Sequence, residues 1–397
     1  MRNASILQRI VAGVAGGIVT SALLVIIVGA AVLVPARKDR LVPEDASGHL
    51  RRIAIHYVPA MDKRALPVWT QLFEKLPADV EVEVAVEHAG DFDRFVERMH
   101  DAHIGAIERF HAVVVDHPLT TWSRDRMASL AGPNGGGVLS PPRVTAATGA
   151  RAGDWEAPFA LARDVYHGKP SIAELVFEGG DLAASHSFVF ADANLIGRNL
   201  GRGDSTREHL EGALRRQFGQ EVVWLGDTPG DVPEHHIMMY MVPLDDHRVL
   251  VGDVRAGQKL MPAGAVPVDD DIDGHARRFD HVAELLAQRG FEVHRIPVVI
   301  LPGAGSYVTY TNALFDRCSA SLRGAARSGE AGPCDREPGG TPVVYLPTYR
   351  VPELDDAAAR TYEGLGFRVV PIDVSSIYQL NGSLGCLVNV MARDAAR

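Results

Sequence analysis

Cys386 stands in the turn Asn381-Gly382-Ser383-Leu384-Gly385-Cys386, and a thiol in such a place is a candidate nucleophile. Three distant segments carry the groups a thiolate needs. Glu234-His235-His236 offers an imidazole to carry protons, Phe177-Glu178-Gly179-Gly180-Asp181 a carboxylate at a double glycine, and Trp122-Ser123-Arg124-Asp125 a second carboxylate beside an aromatic face. A thiol, an imidazole and two acids are the parts of covalent catalysis by cysteine. Only folding can bring them together.

Each group also has a plain structural reading. A cysteine at a strand start is a small buried hydrophobe, a histidine at a strand entry is a core residue, Glu178 is a cap or a surface turn, and Asp125 is an ion-pair partner for Arg124 or Arg126. Their joint presence favours chemistry. The glycines before Cys386 let a ligand approach the backbone, and a carboxylate at Glu178 can orient an imidazole and raise its proton affinity.

The elements that must position these residues follow from hydrophobic periodicity. It predicts a strand over 52–58, a helix around 69–75, a strand over 80–86, an amphipathic helix over 92–100 and an apolar run at 112–115 that opens the loop bearing Trp122 and Asp125. Apolar runs at 237–244 and 386–391 read as strands entered by His236 and Cys386. A helix, a break often carried by Gly, and a β-rich run recur at 283–299 and 358–374, with weaker copies at 73–86 and 210–225. The repeat has the size of a propeller blade. Residues 132–154 and 320–340 read as irregular, the first as a lid over the site or a disordered insertion.

Composition sets outer bounds. A chain of 397 residues, 46 % hydrophobic with 39 glycines and 24 prolines, can bury a large core between many turns. The net charge of −10, with no basic stripe, argues against a nucleic-acid surface and suits cationic substrates. Residues 10–34 carry no charge, long enough at about 1.5 Å per residue to cross a hydrocarbon layer of about 30 Å. This predicts a tail over 1–9, a transmembrane anchor over 10–34, a linker over 35–50 and a catalytic domain over 51–397; a cleaved signal peptide is the rival reading. Arg2 and Arg9 precede the span while Arg37, Lys38 and Arg40 follow it, so charge leaves orientation open. Cys318 and Cys334 bracket a segment of the kind a disulfide staples, which would place the domain outside the cytoplasm; two reduced loop thiols are the alternative.

Taken in order, Trp122-x-Arg124-Asp125, Glu178-Gly179-Gly180, a histidine opening an apolar run, Tyr310-Thr311-Asn312-Ala313-Leu314 and Gly382-x-x-Gly385-Cys386 resemble the guanidine-modifying penteins. The similarity is greatest to the agmatine deiminase and bacterial peptidylarginine deiminase branch, and it spans about residues 52–393. It implies an α/β fold, a five-bladed α/β propeller with the site in its central channel, and a small-molecule or peptidyl guanidino substrate. It also implies attack by Cys386 on the guanidinium carbon, loss of ammonia and hydrolysis of a thiouronium to a ureido product, with no metal or cofactor. By position, His236 resembles the general acid and base, Glu178 the residue that orients it, Asp125 the guanidinium grip, Trp122 a substrate-facing ring and Asn312 a polar residue near the thiol. One departure stands out. The family's His-x-Asp is His236-Ile237-Met238 here, and the loss of a carboxylate opposite a cation leaves three readings. Asp245 or Asp246 reaches in, the substrate is not an ordinary guanidine, or the chain is a binding protein on a pentein scaffold. Amidino transfer to an amine shares the covalent intermediate and is not separated from hydrolysis.

Overall fold

Ile53, Ala54 and Ile55 of the strand Leu50–His56, and Val82, Val84 and Ala85 of Glu81–Val86, are fully buried. Strands paired in parallel and covered on both faces carry such continuous apolar runs. In the computed structural model, residues 42, 45–131, 137–143, 151–199, 206–303, 306–317 and 340–394 are described. The anchor expected over 10–34, most of the expected linker, and Cys318 and Cys334 lie outside the described residues, among which no helix is long and apolar enough to cross a membrane.

The described residues form a mixed α/β fold with five sheets. Four of them repeat one order: a strand, an antiparallel neighbour, a helix, then a strand parallel to the second. In one, Asn389–Arg393 pairs with Leu50–His56, helix Asp62–Lys75 follows, and Glu81–Val86 pairs in parallel, with Phe110–Val114 added outside it. The others are Leu182–Ala184, Phe188–Asp192, helix Arg207–Phe218 and Glu221–Leu225; Met241–Pro243, Arg248–Asp253, helix Ile272–Gln288 and Glu292–Ile300; and Leu314–Asp316, Val343–Thr348, helix Pro352–Gly364 and Arg368–Asp373.

The fifth sheet pairs Ala128–Ala131 with Gly137–Ser140, and helix Ala152–Val165 follows. Residues 171–175 then return beside it: Ser171 and Ala173 donate to the carbonyls of Leu139 and Pro141, and Arg143 donates to Leu175. Pro141 and Pro142 have no N–H to complete the ladder, so the third strand is present only as an irregular extended segment.

The glycine break of the sequence repeat is a helix terminus. Gly219, Gly290 and Gly366 have φ of +80°, +91° and +88°, the left-handed conformation that ends a helix without a Cβ penalty. Two sequence expectations need correction. Residues 132–154 are not irregular throughout, since Gly137–Ser140 and the start of Ala152–Val165 fall within them. The runs after His236 and Cys386 are also not simple strands: Ile237–Met239 and Leu384–Cys386 are 3-10 turns, and strand begins only at Met241 and Asn389. A short, wholly apolar run has no periodicity by which a buried turn differs from a strand.

Candidate active site

The groups singled out in the sequence converge, each from a turn. Trp122 and Asp125 lie between Phe110–Val114 and Ala128–Ala131. Glu178 precedes the 3-10 turn Gly179–Asp181, where its amide donates to Asp181 Oδ2 at 2.8 Å. His236 precedes Ile237–Met239, and Cys386 closes Leu384–Cys386. Trp122, Asp125, Glu178, His236 and Cys386 line one cavity of about 550 Å³.

Glycines allow this convergence by close approach. A Cβ on Gly180 would stand 2.2 Å from His236 Cγ, and one on Gly179 2.0 Å from the Arg124 carbonyl. Neither glycine has a positive φ, so the Glu-Gly-Gly motif serves packing against the imidazole and the Asp125 turn more than a sharp bend. Gly382 likewise gives way to the Trp122 ring, which a Cβ there would meet at 2.3 Å.

Asn312 holds the thiol's turn. Its Oδ1 accepts from the Gly385 amide at 2.6 Å, and its Nδ2 lies 3.4 Å from Cys386 Sγ and 3.1 Å from Met239 Sδ. It is buried beside the sulfur and is not among the residues that line the cavity.

His236 is buried, with Nε2 3.0 Å from Glu178 Oε2 and Nδ1 3.8 Å from Asp125 Oδ1. Burial pulls its proton affinity down, but hydrogen bonds to Cys386 and Glu178 and the charges of Asp125 and Asp181 outweigh it and hold the pKa well above the ordinary imidazole value. Glu178 moves the other way. Burial opposes its charge, yet His236, Arg198 and Arg126 keep its carboxyl well below the usual range. The neighbouring His235, left-handed at φ +82°, is pushed down to about 3, by burial first and then by the charge of His236.

These shifts fix a pH dependence. A raised histidine stabilises the fold fully below its unfolded value of about 6.5, and that contribution is lost as pH rises through the folded value. The urea midpoint is therefore expected to fall on the alkaline side of neutrality, and His236→Gln to flatten that limb. A wild-type alkaline slope unchanged in the variant would show that His236 is not the group responsible. Glu178 has the opposite sign, its contribution being lost only as pH falls through its depressed value.

Three arginines surround these acids, of which Arg151 and Arg198 were not visible in the sequence motifs and Arg126 pairs with Glu178 instead of Asp125. Arg151 Nη1 donates to Asp125 Oδ2 at 2.7 Å, its Nε to Asp154 Oδ2 at 2.7 Å and its Nη2 to Thr120 Oγ1 at 2.9 Å. Arg198 reaches Glu178 Oε2 at 2.9 Å and Asp181 Oδ2 at 2.9 Å, while Arg126 is 3.3 Å from Glu178. Glu178, Asp181 and His236 could together offer three atoms to a metal ion. Both carboxylates already share guanidinium groups, so a metal would have to displace them.

The missing second acid is not replaced by the candidates named above. Asp245 is bound to Arg248, Asp246 to Ser185 and Ser187, and neither lines the cavity. Both sit at the turn between Met241–Pro243 and Arg248–Asp253, where local partners satisfy them. Met238 is 3 % exposed within the main apolar core, and its carbonyl accepts from Thr311 Oγ1 at 2.8 Å. Met238→Asp would bury an acid among apolar groups and is expected to destabilise the fold by about 3 kcal/mol. Chemical denaturation measures this, and an unchanged midpoint would mean that the new side chain reaches the cavity.

No family model and no curated protein matches the sequence. Solved structures do. An agmatine deiminase of C. jejuni superposes with a TM-score of 0.59 at 15 % identity, covering 88 % of this chain and 95 % of that one. An agmatine deiminase of Enterococcus faecalis gives 0.62 at 11 % identity, covering 90 % and 97 %. The chain thus has the mixed α/β fold of these agmatine deiminase structures.

Proposed function

We propose that the chain is a cysteine-dependent amidine hydrolase that converts a guanidino group to a ureido group, its five sheets serving as blades around the cavity. The observation that carries this reading is the meeting of Cys386, His236 and Asp125 on one cavity, with Glu178 3.0 Å from the imidazole. Asp125 Oδ1 is free to accept an N–H of a planar guanidinium while Oδ2 stays with Arg151. The Cys386 thiolate forms a C–S bond to the guanidinium carbon, with Asn312 Nδ2 beside the sulfur. His236, held by Glu178, gives its proton to the departing nitrogen, which leaves as ammonia. Water then adds to the thiouronium carbon, His236 takes a proton from it, and the C–S bond breaks to release the ureido product and the thiolate. In this reading residues 10–34 anchor the enzyme to a membrane.

A second reading has its own support. The engagement of Asp125 by Arg151, together with Met238 in place of an acid, fits a scaffold that binds a ligand without turning it over. Colorimetric detection of ureido product across a panel of guanidines decides between them. Product above the blank that disappears with Cys386→Ala supports the hydrolase, and blank values throughout leave the binding protein.

A further inference from the structure

We infer that Asp45, in the segment that leads into the first strand, is a positioning residue for the site: through Arg124 it holds the turn that presents Trp122 and Asp125. The inference rests on the hydrolase reading above and adds the support of its guanidinium grip.

The end of the stretch read from the sequence as a linker is packed against the domain. Ala46, Ser47 and His49 are buried. Gln220 holds the main chain of Val42 twice, its Oε1 accepting from the amide at 3.0 Å and its Nε2 donating to the carbonyl at 3.0 Å. Three residues on, the Asp45 amide donates to the Ala184 carbonyl at 2.8 Å, and the Asp45 carbonyl accepts from Arg393 Nη2 at 2.8 Å. The Gly48 carbonyl accepts from Arg393 Nη1 at 2.8 Å and from the Arg317 amide at 3.3 Å. The segment is thus a strap that runs from the sheet containing Leu182–Ala184 to those containing Leu314–Asp316 and Asn389–Arg393.

Main-chain bonds alone would pin such a strap. The Asp45 side chain does more. Its Oδ2 accepts from the Ala184 amide at 2.6 Å, which fixes the carboxylate, and its Oδ1 accepts from Arg124 Nη2 at 2.8 Å. The two side chains are only 9 % and 15 % exposed, and Arg124 Nε is buried with no partner among the described residues. Nη2, which also donates to the Leu182 carbonyl at 3.3 Å, therefore anchors the guanidinium.

The main chain of Arg124 belongs to the site. Its amide is 3.5 Å from the Cys386 carbonyl, and the next residue is Asp125, whose carbonyl accepts from the Gly179 amide at 2.7 Å. The turn is thus held twice, by the Glu-Gly-Gly segment at Asp125 and by Asp45 at Arg124. Without the carboxylate the guanidinium would be a largely buried charge with no counter-charge, a costly state that it escapes by moving toward water. The peptide that Arg124 shares with Asp125 moves with it.

The test uses the full chain and two alkylating probes of one shape, cationic 2-chloroacetamidine and neutral 2-chloroacetamide. Peptide mass spectrometry follows both rates at Cys386. Their ratio, divided by the same ratio for free N-acetylcysteine, is a selectivity that reads the hold on a planar cation; greater exposure of the thiol changes both rates and cancels. The parent is expected to show a selectivity of at least about tenfold. Asp45→Ala and Asp45→Asn should each lower it at least about fivefold, because a small misplacement of the gripping acid is enough. Asparagine keeps an oxygen for the Ala184 amide, so a role limited to pinning the strap would spare that variant. Gln220→Ala frees Val42 without touching Asp45 or Arg124 and should stay within about twofold of the parent, and adding Asp45→Ala to Arg124→Ala should cost nothing further. Parent selectivity in Asp45→Asn or Arg124→Ala, a loss in Gln220→Ala equal to that in Asp45→Asn, or an additive loss in the double variant overturns the inference and leaves the hydrolase reading standing. A selectivity of about one in the parent sinks both.

Discussion

Cys386→Ala is expected to lower ureido formation by at least about 10⁴-fold, because Cys386 is the one thiol among the described residues and the proposed covalent intermediate forms on its sulfur. His236 is held between Glu178 and Asp125, and without the sulfur it has only water to activate. The fold should survive. The Cys386 amide bonds the Ser383 carbonyl and the Asn312 clamp grips Gly385, so the turn does not depend on the thiol. The stability cost is that of one small buried group, about 1 kcal/mol. Peptide mass spectrometry after treatment with a haloacetamidine should show an adduct at Cys386 of the parent chain that is absent from the variant. Activity within tenfold of the parent would remove the sulfur from the reaction.

Gly180→Ala should be nearly as severe, though the substituted atom touches no substrate. The added methyl would lie 2.2 Å from His236 Cγ and 2.3 Å from Nδ1, distances that real carbon contacts never reach. The ring is buried and tied to Glu178 at 3.0 Å, so either the imidazole turns away from the thiol or the Glu178 turn backs off. Overpacking of this kind costs about 2 kcal/mol of stability. An ångström of misplacement at a reacting group costs about a hundredfold in kcat/KM. Gly364→Ala is the control, since a Cβ there meets nothing within 4 Å. Equal kcat/KM in the Gly180 variant and the parent would mean that the Glu178 turn does not position His236.

The sequence made the repeated unit legible because its punctuation is chemical: Gly219, Gly290 and Gly366 end helices in a conformation that other residues avoid. The third strand beside Gly137–Ser140 was hidden by the prolines that deny it a regular ladder. At the site, the types and order of Trp122, Asp125, Glu178, His236 and Cys386 were enough to bring them to one cavity. The arginines were not legible. Arg151 stands in an Ala- and Gly-rich stretch and Arg198 in Asn194-Leu195-Ile196-Gly197-Arg198, with no motif around either, and they reach Asp125 and Glu178 across 20 or more residues.

Asn389–Arg393 finds its antiparallel partner in Leu50–His56, and Arg51 grips Asp394 across 343 residues. During synthesis, therefore, a polypeptide that has not yet emerged past Asn389 leaves an open sheet edge at Leu50–His56 and has no fixed seat for its sulfur. Such nascent chains lack the assembled cavity, and that bare edge is the natural foothold for a chaperone or for aggregation.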